Sequence, residues 1–218
     1  MDSYSLKYIK SRYILKQIFD NLHKNKLLKI LNNNKSIQEK IDINIYDYKK
    51  YFEEIEIEIE VNSKINNAEN NFINISEKDK SYFHIYFNNN NIKEIKRKYF
   101  TKNDNVKKIK IIIDNEIKSL QEIFDSCYCI EKINFIKFNR KDINNMNCMF
   151  YGCKSLKEIN FKNFKTDNVT DMSYMFSDCS SLRKLDLTKF NIIKVIDMNH
   201  MFCGCSLLDE INLIILKL

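Results

Sequence analysis

At 218 residues and 26.3 kDa the chain can hold one large domain or two small ones, and folding would bury roughly 70% of its extended surface. With 44% hydrophobic and 30% charged residues it lies in the globular range, which excludes a wholly disordered chain, and two Gly, no Pro and no Trp exclude collagen-like, Pro-rich and Gly-rich phosphate-loop proteins. The formal net charge of +7 is concentrated at the front, where residues 1–52 hold 11 Lys and Arg against 5 Asp and Glu, and no aromatic-basic motif accompanies it, so nucleic acid is not an expected partner.

The abundance of Ile, Asn and Lys is the imprint of an AT-rich genome. Charges interrupt Met1 to Phe19, so no signal-peptide core is present, and nowhere do about 18 apolar residues run together. The expectation is a soluble cytoplasmic protein with reduced thiols and no membrane partner. From Ser11 to Ile41 the apolar residues Ile14, Leu15, Ile18, Phe19 and Leu22, then Leu27, Leu28 and Leu31, then Ile37 and Ile41 predict three short amphipathic helices, the third opened by the capping box Ser36-x-x-Glu39. The run YILKQIFDNLHKNKLLKILNNNKSIQEKI is similar to an F-box. That resemblance implies that Ile18, Phe19, Leu22, Leu27 and Leu28 dock on the adaptor subunit of a cullin-type ubiquitin ligase; a plain helical cap or dimerisation element is the alternative.

Residues 53–119 alternate strand-like stretches with Asn-rich turns. In EEIEIEIEV, Glu53 to Val61, Ile points one way and Glu the other, the period of a half-buried strand rather than of paired catalytic carboxylates. The last stretch, KKIKIIID, places Val106, Ile109 and Ile111 at the spacing of the repeat strand that follows, so it is expected to cap the first coil of that repeat.

Three gapless 26-residue segments start at Leu120, Met146 and Met172, and a fourth of 21 residues starts at Met198. Phe124, Phe150, Phe176 and Phe202 fall in register, as do Cys127, Cys153, Cys179 and Cys205. The triples Ile130/Ile133/Phe135, Leu156/Ile159/Phe161, Leu182/Leu185/Leu187 and Leu208/Ile211/Leu213 have the spacing of a strand whose alternate side chains enter the core. A short helical turn is expected before each strand, N-capped by Ser119, Asn145, Asp171 and Asp197, and Phe138, Phe164 and Phe190 should fill the return of each coil. Residues 120–218 resemble the 26-residue repeat of BspA-like leucine-rich repeat proteins, with Met172 to Asp197 matching nearly throughout. The resemblance implies a protein-interaction solenoid, adhesion being the best-known role of secreted members; a fragment of a surface adhesin is therefore a further reading.

The in-register cysteines read as packing residues, because free Cys behaves as a small buried hydrophobe. Cys127-x-Cys129 and Cys203-x-Cys205 have one intervening residue instead of the two to four of zinc knuckles, so no metal site is expected. Cys148, on an exposed offset, and Cys129 and Cys203, least constrained by the repeat, are the candidates for incidental reactivity. Only three histidines exist, His23, His84 and His200, scattered over three regions, so neither a catalytic constellation nor a cofactor is expected.

Outward positions of the repeat strands form two columns, Lys132, Glu158, Lys184, Glu210 and Asn134, Asn160, Asp186, Asn212, and these eight residues are the candidate surface for a protein partner of unknown identity. The first column alternates in sign and could equally be a self-supporting charge ladder. The apolar ending INLIILKL leaves the last unit without a cap, expected of a fragment or of a surface that another chain covers. The fold expected is α+β: a helical segment over 1–52, a β-rich segment over 53–119, and a short parallel-stranded leucine-rich solenoid over 120–218.

Overall fold

A computed structural model describes residues 35, 36, 39, 53–62, 70–88, 93–101, 103–161 and 163–213. The chain divides into two compact units, residues 1–52 and 53–218. Among its described residues the second holds eight strands, β1 (Ile55–Val61), β2 (Phe83–Phe87), β3 (Glu94–Ile95), β4 (Lys108–Ile113), β5 (Ile130–Phe138), β6 (Glu158–Asn160), β7 (Lys184–Asp186) and β8 (Glu210–Asn212).

β1 follows from its alternation: Ile55, Ile57 and Ile59 are fully buried while Glu56, Glu58 and Glu60 lie on the opposite face. β4 does the same with Ile109, Ile111 and Ile113 inward and Lys108 and Lys110 outward. Each such buried Ile contributes about 1.5–3 kcal/mol relative to exposure. The strand order is β3-β2-β4-β1-β5-β6; the first four pairings are antiparallel and β5-β6 is parallel, with Ile57 opposite both Ile111 and Phe135. β7 and β8 form a separate parallel pair.

The expected α+β chain with a parallel leucine-rich solenoid is therefore corrected. The sheet is mixed and mostly antiparallel, and β6 and β7 belong to different sheets. From Ile55 onward the one helical element among the described residues is the 3-10 turn Lys80–Tyr82. Of the expected helical bundle of residues 1–52, only Lys35, Ser36 and Glu39 are described, and these are helical; the rest, with Ile18, Phe19, Leu22, Leu27 and Leu28, lies outside the described residues. β4 is not the neighbour of β5 either: β1 is inserted between them, antiparallel to both. Alternation tells which face of a strand is buried, but not which strand lies beside it.

The reason no helix precedes the repeat strands is conformational. Each 26-residue unit carries left-handed residues at two fixed positions, Glu122, Cys148, Tyr174 and His200 (φ 51° to 56°), then Ser126, Gly152, Asp178 and Gly204 (φ 54° to 72°). A single left-handed residue ends a right-handed helix, so the segment becomes a chain of turns. Those turns direct alternate N–H groups towards the next unit: Leu120, Glu122, Phe124 and Ser126 donate to the carbonyls of Asn145, Asn147, Met149 and Tyr151, and the same pattern recurs in the two units that follow. Ser119, Asn145, Asp171 and Asp197 still act at the start of the turns, each side chain accepting the N–H two residues on at 2.8–3.1 Å.

Phenylalanine columns fill the interior between the turn and strand sides. Phe124, Phe150, Phe176 and Phe202 stack face to face with centroids 5.7, 5.4 and 5.8 Å apart. Phe138, Phe164 and Phe190 form a second column, 4.3 and 5.3 Å apart. At the first unit the core is closed by residues from the preceding region, where Asn74 donates its N–H to the Ile123 carbonyl and its side-chain amide to that of Asp125.

Candidate functional site

The eight outward residues of the repeat strands occupy two registered patches. On β5 and β6, Lys132 stands opposite Glu158 and Asn134 opposite Asn160; on β7 and β8, Lys184 stands opposite Glu210 and Asp186 opposite Asn212. Both lysines are paired, Lys132 Nζ with Glu158 at 3.0 Å and Lys184 Nζ with Glu210 at 2.5 Å. The hydrogen bond to Glu158 holds the Lys132 ammonium above its ordinary pKa, and the one from Lys184 holds Glu210 below its own. Asp186 accepts the Thr188 N–H at 2.9 Å, and the Thr188 side chain together with this N–H lowers its carboxyl, while Asn212 donates to Glu210 at 3.4 Å. The charges thus complement each other across strands, although solvent screening leaves such exposed pairs little stabilising value.

The insertion of β1 extends the first patch in a way the sequence columns did not contain. Lys108, Glu60, Lys132 and Glu158 lie opposite one another across β4, β1, β5 and β6, alternating in sign. Lys108 reaches Glu58 at 3.0 Å and Glu60 at 3.5 Å, and Lys110 reaches Glu56 at 2.8 Å. A shallow depression of about 180 Å³ lies among Glu58, Glu60, Lys132, Asn134, Glu158 and Asn160.

The cysteine column has a chemical role inside the fold. Cys153, Cys179 and Cys205 lie with Sγ 3.0, 3.1 and 2.9 Å from the carbonyl oxygens of Phe124, Phe150 and Phe176, so each thiol donates to a backbone group of the preceding unit. Cys127, Cys153 and Cys179 are fully buried with Phe124, Phe150 and Phe176, and burial pushes these thiols well up. Phe202 and Cys205, in the last unit, are only partly buried. Cys129 departs from expectation. It is wholly buried, its Sγ is 3.6 Å from the Asn71 carbonyl, and burial raises its thiol to about 12. Cys148 is half-buried and Cys203 exposed. A thiol reagent is expected to modify Cys203 fast, Cys148 and Cys205 slowly, and the four buried thiols only on unfolding; peptide mapping after timed labelling reads this, and early modification of Cys153 or Cys179 would contradict the packing.

Sequence reasoning gave no role to Arg140. Its side chain is 1% exposed, with Nε on Asp142 at 2.6 Å, Nη1 on the Asp114 carbonyl at 3.1 Å and Nη2 on the Ile117 carbonyl. The clamp ties the segment leaving β4 to the end of β5. His84 lies on β2, its Nδ1 2.9 Å from Glu94 and its Nε2 3.5 Å from Asp114, and His200 is stacked on Tyr174. Among the described residues no group of three or more His, Cys, Asp or Glu is gathered in metal-binding geometry, and no helix is long and apolar enough to cross a membrane.

No curated protein and no solved structure matches the chain. Residues 118–213, the segment carrying the repeat, match a family model described as a Mycoplasma protein of unknown function, DUF285.

Proposed function

We propose that this chain is a noncatalytic protein-interaction module, cytoplasmic in location, that presents the outer face of its sheets to a protein partner. The observation that carries the reading is the division of labour within the repeat: the in-register phenylalanines and cysteines of its first three units face inward and are engaged in packing and backbone hydrogen bonds, while Lys132, Asn134, Glu158, Asn160, Lys184, Asp186, Glu210 and Asn212 stand outward in register. A polar face laid across neighbouring strands offers the hydrogen-bonding and charged groups that protein interfaces carry at their rims. The resemblance of residues 120–218 to BspA-like repeats supports the same reading.

Affinity purification from the native cell with the full chain tests it. A protein retained by the wild type is expected to be lost on combining Lys132→Glu with Lys184→Glu, with the unfolding midpoint little changed. Equal retention by the variant would remove the partner from this face, and measurable turnover of a substrate would overturn the noncatalytic reading.

A further inference from the structure

The carbonyl row at the front of each repeat unit is filled at three junctions and only half filled at the first unit. The N–H groups of Leu120 and Glu122 donate to the Asn145 and Asn147 carbonyls at 2.9 and 3.0 Å, those of Met146 and Cys148 to Asp171 and Ser173 at 2.9 and 3.0 Å, and those of Met172 and Tyr174 to Asp197 and Asn199 at 2.9 Å. The equivalent carbonyls of the first unit belong to Ser119 and Gln121, and no donor reaches either among the described residues. The region that closes this unit covers only the later part of its row: Asn74 donates to the Ile123 and Asp125 carbonyls, and the Asn62 N–H donates to that of Cys129 at 2.8 Å.

The direction of the two open carbonyls follows from the peptide bond. In a planar trans peptide the C=O and the N–H point opposite ways, and no cis bond is present among the described residues. Since the Leu120 and Glu122 N–H groups point at the second unit, the Ser119 and Gln121 carbonyls point away from it, into the space in front of the first. A cavity of about 490 Å³ lies there, lined by both residues, by Ile117 and Ile123, and by Ile75 and Phe83 of the preceding region. That volume is in the range of ligand pockets, roughly 300–1,000 Å³. Ile117, Ile123 and Phe83 are buried, so the wall beside the acceptors is apolar. Lys78, Lys98, Asp79 and Glu122 also line the cavity, two charges of each sign, which gives neither an anion nor a cation an advantage.

We infer that this cavity docks a Leu/Met-x-x-Ile/Met turn of a protein partner. Three occupied copies of the same site within the molecule define the occupant. In front of each later unit the space holds the turn 120–123, 146–149 or 172–175, whose first and last side chains are buried and whose first and third N–H groups reach the two carbonyls. Main-chain bonds of this kind supply affinity and the apolar side chains specificity. The inference rests on the reading of the chain as an interaction module, but at a surface other than the strand face.

An acetylated, amidated peptide with the sequence of residues 171–175, Asp-Met-Ser-Tyr-Met, titrated into the isotopically labelled full-length protein, tests it. Amide chemical shifts are expected to move saturably at residues 74–79 and 117–123. N-methylation of the first Met and of the Tyr, which removes the two donors and keeps every side chain, is expected to weaken binding about tenfold or more. Ser in place of both Met should weaken it about as much. No saturable shift, equal affinity of the N-methylated peptide, or shifts confined to residues 198–205 would overturn the inference. So would self-association in sedimentation velocity that moves the same amides without peptide, which would give the cavity to a second copy of the chain. None of these results bears on the strand face, where the purification with Lys132→Glu and Lys184→Glu is read separately.

Discussion

Phe150→Ala is expected to lower the unfolding free energy by about 3–5 kcal/mol, the range for truncating a fully enclosed aromatic ring. Phe150 has no exposed surface and stacks on Phe124 and Phe176 while meeting Phe161 edge-on at 6.2 Å. The rigid frame around it leaves little room for collapse, because the adjoining backbone is tied to both neighbouring units: Phe124 N–H donates to Met149, Phe150 N–H donates to Met175, and Cys179 Sγ donates to the Phe150 carbonyl. Phe202→Ala, at the partly buried end of the same column, should cost roughly half as much or less, since less apolar surface leaves water there. Urea unfolding followed by tyrosine fluorescence measures both. Losses of equal size would mean that burial does not rise from the last unit towards the middle of the column.

Arg140→Met is expected to cost about 2–4 kcal/mol, although the replacement is similar in length and apolar. The guanidinium donates to two carbonyls at a buried joint, Asp114 and Ile117; the Asp114 carbonyl also accepts the Ile117 N–H at 3.4 Å, so the variant loses two charge-assisted hydrogen bonds, each worth about 1.5–3 kcal/mol when a charged group takes part. Arg140→Lys should recover only part of the loss, because a single ammonium cannot reproduce the fork that reaches two carbonyls and Asp142.

The same clamp has a pH signature. Burial pushes the Asp142 carboxyl up, but hydrogen bonds from Arg140 and Lys118, reinforced by their charges, outweigh it and hold the group at about 2. Its ordinary value is about 3.9, so the folded state favours the ionised form. That contribution is complete above about pH 4 and disappears as pH falls towards 2. Asp142 is 46% exposed, so screening keeps the effect small. In Arg140→Met the stability curve should be flatter between pH 4 and pH 2 than in the wild type, read as the urea midpoint at half-unit steps; an unchanged slope would assign the depression to Lys118 alone.

The repeat was legible without coordinates because packing imposes period on composition. Phe124, Phe150, Phe176 and Phe202 recur because each ring needs a ring of the same size above and below it, and the cysteines recur because a small side chain must reach the carbonyl of the previous unit. The same reasoning misjudged Cys129. It lies outside the column, so periodicity offered no reason for its burial, and its Sγ meets the Asn71 carbonyl of a segment far away in sequence. The turns were misjudged for a local reason. Apolar spacing such as Met172, Met175, Phe176 and Cys179 fits a helical face, but Tyr174 and Asp178 adopt positive φ, and nothing in those residue types requires it. The two glycines gave the only hint: a Cβ at Gly204 would stand 2.0 Å from Asp178 Oδ1, and Gly152 and Gly204 hold equivalent left-handed positions.

What the amino-acid order determined alone is therefore the identity of inward and outward residues: the Ile and Glu alternation of β1, the stacked columns, and the two outward rows that the candidate partner surface uses. These depend on side-chain direction relative to the chain itself, a property with a fixed period. Which elements become neighbours was decided only by tertiary structure. Placing β1 between β4 and β5 brought Glu58 and Glu60 beside Lys132, the return from β5 brought Arg140 to two distant carbonyls, and the stacking of turns set Phe124, Phe150, Phe176 and Phe202 face to face. Such contacts are set by competition among many possible pairings of similar strands and turns, and the energy differences that settle it reside in the assembled core rather than in any single segment.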